Sequence, residues 1–132
     1  MPRKTSIPAV LAAIVAAAAL ASPALAGGDA AAGKKAFRKC AACHTVDGAN
    51  RVGPTLAGIV GRPVASVDGF RYSAAMKAFA ADGKAWDEAL LSDYVAAPKT
   101  VVKGTSMAFA GIRKADEIAD LIAYLRDPAG AE

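Results

Sequence analysis

What this chain of 132 residues lacks narrows it quickly. It holds one histidine, His44, and two cysteines, Cys40 and Cys43. Three such residues fall short of the four ligands that a structural zinc site takes. No stretch is rich in strand-forming residues, so the βαβ surroundings of a thioredoxin-like dithiol are missing. A disulfide between residues so close together would close a loop too small to stabilise much. No apolar run reaches the roughly 20 residues that span a bilayer. Nor is there an internal repeat. Residues 27–132 carry 14 basic and 12 acidic side chains, a balance that gives no ground for nucleic-acid binding.

The chemistry that is present sits in one stretch, Cys40-Ala41-Ala42-Cys43-His44. The spacing C-x-x-C-H reads as a c-type haem attachment site. On a helical turn the two cysteines share a face, and His44 follows four residues after Cys40 on the same side. Two sulfurs can then bond the two vinyl groups at one edge of a haem. The imidazole comes in under the ring as the proximal iron ligand. Ala41 and Ala42 are small and let the ring approach the backbone.

The chain begins with a short positive head, Arg3 and Lys4, and an apolar run of about 14 residues from Ile7 to Leu20. Ala24-Leu25-Ala26 completes the pattern of a secretory signal peptide cut after Ala26. An uncleaved membrane anchor is the weaker alternative. Residues 27–132 then form one domain. Export fits the cysteines, because haem is attached outside the cytoplasm and a lone dithiol there would oxidise.

Asp29 is placed to cap a first helix running into the motif. Gly33 inside it costs about 1 kcal/mol against alanine, and such a glycine allows close helix approach. Phe37 is expected on the inner face. Residues 45–61, with six glycine, proline or asparagine positions, read as loop. Ser73 to Phe79 reads as a short helix that Asp82-Gly83 ends. Asp87 caps a third, with Leu90, Leu91, Tyr94 and Val95 on one face, and Pro98 stops it. Lys99 to Gly111 reads as irregular. The last helix has Ile118, Leu121, Ile122 and Leu125 at helical spacing and ends at Pro128. The fold class is therefore all-α, helices and long loops wrapped around one covalently bound haem. Loops this long in a small domain need an internal support.

With one histidine, bis-histidine ligation is excluded. Of three methionines, Met1 leaves with the signal. Met76 reads as core filler. Met107 lies in a loop between two helices that could carry it over the distal face. A thioether there favours ferrous iron and raises the potential.

Residues 27–132 resemble a class I cytochrome c, the family of mitochondrial cytochrome c and its soluble bacterial relatives. The resemblance rests on Gly33-Lys34-Lys35, Cys40 to Val46, Gly53-Pro54, Gly61-Arg62, Tyr72-Ser73, Trp86, and Lys103 to Gly111. Asp120 to Leu125 adds to it. It implies Met107 as distal ligand beside His44. It implies that Pro54 offers its carbonyl to the second ring nitrogen of His44. Arg62, Tyr72 and Trp86 would bond one haem propionate, unless Tyr72 and Trp86 are ordinary core aromatics, and Thr105 would bond the other propionate. Tyr94 would donate to the Met107 sulfur. Gly33 and Phe37 would meet Leu121 and Tyr124 where the first and last helices cross. Met76 stands where mitochondrial sequences have asparagine, which changes the internal polar network.

The function implied is one-electron transfer in the periplasm, by a monomer without enzymatic activity or small-molecule substrate. The rivals are a haem enzyme or gas binder with an exchangeable iron site, a thiol-disulfide oxidoreductase, and a membrane-tethered form of the carrier. Residues 27–113 carry 12 basic and 7 acidic side chains, residues 114–132 carry 2 and 5. In the family's fold Lys39, Lys99 and Lys103 come near the exposed haem edge. The expected partners are membrane or periplasmic redox proteins with acidic docking faces.

Overall fold

A computed structural model describes residues 27–131, together with Met1. The rest of the expected signal segment, residues 2–26, lies outside the described residues. Helix α1 spans Ala30–Ala36, and its cap is the expected one. Asp29 Oδ1 accepts from the Ala31 and Ala32 N–H groups at 2.8 and 3.1 Å, satisfying two donors that a helix start leaves open. The chain tightens into a 3₁₀ turn over Phe37–Lys39 and runs on into the cysteine motif.

Helices α2, Ala74–Phe79, and α3, Glu88–Ala96, follow. Ser73 Oγ accepts from Met76 N–H at 3.1 Å, and Asp87 Oδ1 from Leu90 N–H at 2.7 Å. Of the face expected on α3, Leu91 and Tyr94 are buried while Leu90 and Val95 are half-buried. Proline ends α3 as expected, but the segment after it is not all irregular. Pro98–Val101 forms a one-turn helix, α4. Proline at a first helical position loses no bond, since that N–H has no partner in a helix, and its φ is already helical. Gly111, at φ +100°, then turns the chain against α3. A Cβ there would meet the Ala96 carbonyl oxygen at 2.1 Å.

The last helix, α5, spans Ala115–Arg126. Its stripe of Ile118, Leu121, Ile122 and Leu125 is buried, and so are Ala123 and Tyr124. It is buried beyond a single stripe because it has neighbours on two sides: α1 crosses it, and α3 lies against it. Among the described residues the only extended pairing is an isolated bridge between Pro63 and Ala85. The architecture is the expected all-α one.

The crossing of α1 and α5 depends on missing atoms. A Cβ on Gly33 would lie 1.9 Å from the Asp120 carbonyl oxygen, and one on Gly28 would lie 2.2 Å from the Ala119 backbone. Asp29 N–H donates to Asp120 Oδ1 at 2.7 Å. The Phe37 and Tyr124 rings meet with centroids 5.4 Å apart. Leu121, 1% exposed, sits at the centre. Gly33→Ala should therefore destabilise by about 2–3 kcal/mol, as overpacking does, despite alanine's better helix propensity. Denaturant midpoints would show it. A stabilised variant would refute the close crossing.

Candidate functional site

One helical turn assembles the motif. The Phe37 carbonyl accepts from Cys40 N–H at 2.8 Å and Ala41 N–H at 3.0 Å. The Cys40 carbonyl accepts from Cys43 N–H at 3.0 Å and His44 N–H at 2.9 Å. This is the turn that the spacing requires. Both cysteines are free; Cys40 is half-buried and Cys43 exposed. Loss of water around Cys40 pushes its thiol up to about 11.

His44 is fixed from two sides. Its Nδ1 lies 2.7 Å from the Pro54 carbonyl oxygen. That oxygen can only accept, so Nδ1 carries the proton and Nε2 keeps the lone pair for a metal. Gly53 lies against the ring: a Cβ there would stand 2.3 Å from His44 Cε1. This need for glycine is invisible in the sequence beyond the Gly-Pro pair itself. The Gly53 N–H donates to the Cys43 carbonyl at 2.8 Å.

Cys40, Cys43, His44 and Met107 all border one cavity of about 300 Å³. Tyr94 stands beside Met107, its hydroxyl 3.9 Å from Sδ and 3.3 Å from Thr105 Oγ1. Thr105 Oγ1 also accepts from Met107 N–H at 3.2 Å. Within the protein Thr105 thus serves the methionine loop. Met76, expected as core filler, is half-buried, packs on the core and borders the same cavity.

Arg62 gives the most direct sign of a missing partner. Its two terminal nitrogens donate to the Ala57 and Thr55 carbonyls at 2.7 and 2.9 Å. Its Nε is buried and has no partner. Burial lowers the guanidinium pKa, yet the group stays charged at any ordinary pH. A buried N–H on a cation fits a carboxylate acceptor. Tyr72 and Trp86 border the cavity too. The Tyr72 hydroxyl accepts from Val67 N–H at 3.1 Å, leaving its proton to give. The Trp86 ring lies 4.9 Å from that of Tyr94.

These residues fit a haem: two thiols and an imidazole on one turn, a soft thioether across a loop, an unmatched guanidinium N–H, and an apolar wall. Among the described residues no group of three or more His, Cys, Asp or Glu side chains could hold a metal ion instead. The surface charges hold one departure from expectation. Lys39 is paired with Glu117 of α5, so it is not an independent charge at the cavity rim. Sequence spacing could not reveal a partner 78 positions away.

Comparison with known proteins agrees. The family profile of cytochrome c matches residues 30–128. The chain is 46% identical over 100 residues to cytochrome c2 of Agrobacterium tumefaciens, covering 74% of this chain and 90% of that protein. It is 48% identical over 99 residues to the cytochrome c-type cyt cy of Rhodobacter capsulatus, where the match spans 74% of this chain and 48% of the longer protein. Among solved structures, cytochrome cH from Methylobacterium extorquens superposes with a TM-score of 0.69 at 47% identity, covering 74% of this chain and 97% of that one.

Tyr94 yields a test. Burial raises its phenol above the ordinary 10.0, so the fold favours the protonated form. The stabilisation is complete below the unfolded pKa and is lost as pH rises through the folded one. Tyr94→Phe should cost about 1 kcal/mol at neutral pH and lose less stability on the alkaline side. Denaturant melts across that range measure both. Parallel pH profiles for the two proteins would contradict the assignment.

Proposed function

The chain belongs to the cytochrome c family, and from that premise we propose that it is a periplasmic one-electron carrier with His44 and Met107 as the axial iron ligands. It is a haem-based electron carrier of the class I type, with one haem bound covalently through Cys40 and Cys43. When bound, the haem supplies a one-electron ferric/ferrous couple. The observation that carries the ligand assignment is the pairing of two restrained donors on one cavity. His44 is held by Pro54, and Met107 is held by Tyr94 and Thr105.

In this reading each side chain has a bounded task. The Pro54 carbonyl fixes the His44 tautomer and raises its basicity. The Met107 thioether, soft and neutral, favours ferrous iron and so raises the potential. Tyr94 keeps the sulfur in place. Arg62 Nε, with Tyr72 and Trp86, would hold one propionate of a bound haem, and Thr105 the other. With His44 and Met107 both holding the iron, no open position would remain for a substrate, and the protein would act as a carrier and not as an enzyme. It works as a monomer.

Location follows from the signal pattern in residues 1–26. Among the described residues no helix is long and apolar enough to cross a membrane. The redox partners present acidic faces to Lys99 and Lys103, both exposed.

Measurements on the haem, the distal ligand and the docking face test this reading. The haem should stay with the chain under denaturing conditions, and the ferrous protein should not bind carbon monoxide at neutral pH. Met107→Ala should abolish the sulfur-to-iron charge-transfer band and lower the potential, while Met76→Leu keeps the band. Loss of the band in the Met76 variant alone would transfer the assignment to Met76. For docking, the second-order rate with an acidic partner should fall as salt rises. Lys103→Gln should slow association at low salt more than Lys39→Gln, because Glu117 already offsets Lys39. A rate indifferent to ionic strength would count against the basic face.

A further inference from the structure

Two threonines, Thr45 and Thr55, are the buried polar residues of the described core, each 7% exposed. Each directly follows a residue of the proximal ligand pair: Thr45 follows His44, and Thr55 follows Pro54. Their hydroxyl oxygens lie 3.4 Å apart. Thr45 Oγ1 donates to the Ala49 carbonyl at 2.6 Å. Thr55 Oγ1 accepts from Gly48 and Ala57 N–H groups, both at 3.2 Å. The interior of the 45–55 loop is thus filled by hydrogen bonds that converge on Thr55.

The peptide unit joining Pro54 to Thr55 is the centre of this arrangement. Its carbonyl accepts from His44 Nδ1 at 2.7 Å, and its N–H donates to Asn50 Oδ1 at 2.9 Å. A peptide is planar, with C=O and N–H on opposite sides. Fixing the N–H therefore fixes the direction of the carbonyl. An N–H already engaged also makes the carbonyl a better acceptor, since linked hydrogen bonds polarise one another. Pro54 has no N–H of its own to help. The next carbonyl, that of Thr55, accepts from Arg62.

We propose that Asn50 and Thr55 are positioning residues for the proximal ligand, orienting the Pro54 carbonyl that bonds His44 and thereby setting the donor strength of the imidazole. The inference rests on the haem reading above. It assigns a part in the redox potential to Asn50, an exposed loop side chain. A weaker Nδ1 bond makes the imidazole a poorer donor, which favours ferrous iron.

The test uses the haem-loaded protein, so covalent haem is established before the inference is examined. In Asn50→Ala the His44 Nδ1 proton should exchange with solvent about tenfold faster, the ratio that loss of one part-buried hydrogen bond allows. The midpoint potential should rise, and the Met107 charge-transfer band should persist. Thr55→Val should act in the same direction, with Thr55→Ser restoring both values. If Thr55→Val does not fold, Asn50→Ala decides alone, because its side chain is at the surface. Wild-type exchange and potential in Asn50→Ala, whatever its stability, would overturn the proposal.

Discussion

A side chain on Gly33 would stand 1.9 Å from the Asp120 carbonyl oxygen, and the absence of that side chain lets the two ends of the domain cross in close contact. The buried face of α5 packs at this crossing and against α3. The 3₁₀ turn that follows α1 delivers Cys40 directly from the crossing. The position of the cysteine turn is therefore inherited from the helix contact. Lys39, paired with Glu117, adds a second tie beside the first. Being exposed, that pair adds little to stability; the apolar contact of Phe37 with Tyr124 bears more.

From that anchored turn, the rest of the domain is loop held by specific hydrogen bonds. The segments 43–45 and 53–56 run side by side, with Gly53 N–H on the Cys43 carbonyl at 2.8 Å and Leu56 N–H on the Thr45 carbonyl at 2.7 Å. On the far side, Trp86 N–H donates to the Arg62 carbonyl at 2.8 Å beside the Pro63–Ala85 bridge. Buried polar groups are normally matched. The unmatched Arg62 Nε stands out because, among the described residues, it is the one buried side-chain nitrogen or oxygen without a partner.

The sequence made local features legible and long-range polar features not. Asp29 and Asp87 cap the helices they were expected to cap, since a cap depends on residues two or three positions away, and Ser73, expected as the first residue of α2, caps it instead. The C-x-x-C-H spacing carries its chemistry within one turn. The apolar stripe of α5 announced its buried face, and the family resemblance the contact of Tyr124 with Phe37, but neither announced the burial of Ala123, which needs a second neighbour. The turn of α4 was missed because four residues hold no periodicity to read. Gly53 against His44, Thr55 below Arg62, and the pairs Lys39–Glu117 and Arg126–Glu88 depend on chain paths through loops. Loop paths here are set by hydrogen bonds whose partners no spacing rule predicts.

The same bonds explain how a domain with so much loop can carry electrons. Transfer is easiest when a redox centre changes little between states, and loops are ordinarily the parts that move. In this protein the loop residues that matter are each restrained more than once. Met107 has its N–H on Thr105 and its sulfur near Tyr94, and Thr105 N–H itself donates to the Val102 carbonyl at 3.0 Å. Val102 is 2% exposed, so the base of the loop is anchored in the core. Tyr94 belongs to α3, which lies against α5. Met107 is thus referred, through Tyr94 and α3, to the same helix that anchors the cysteine turn. Both candidate ligands share one rigid reference, and holding them in register does not require the loops to be stiff along their whole length.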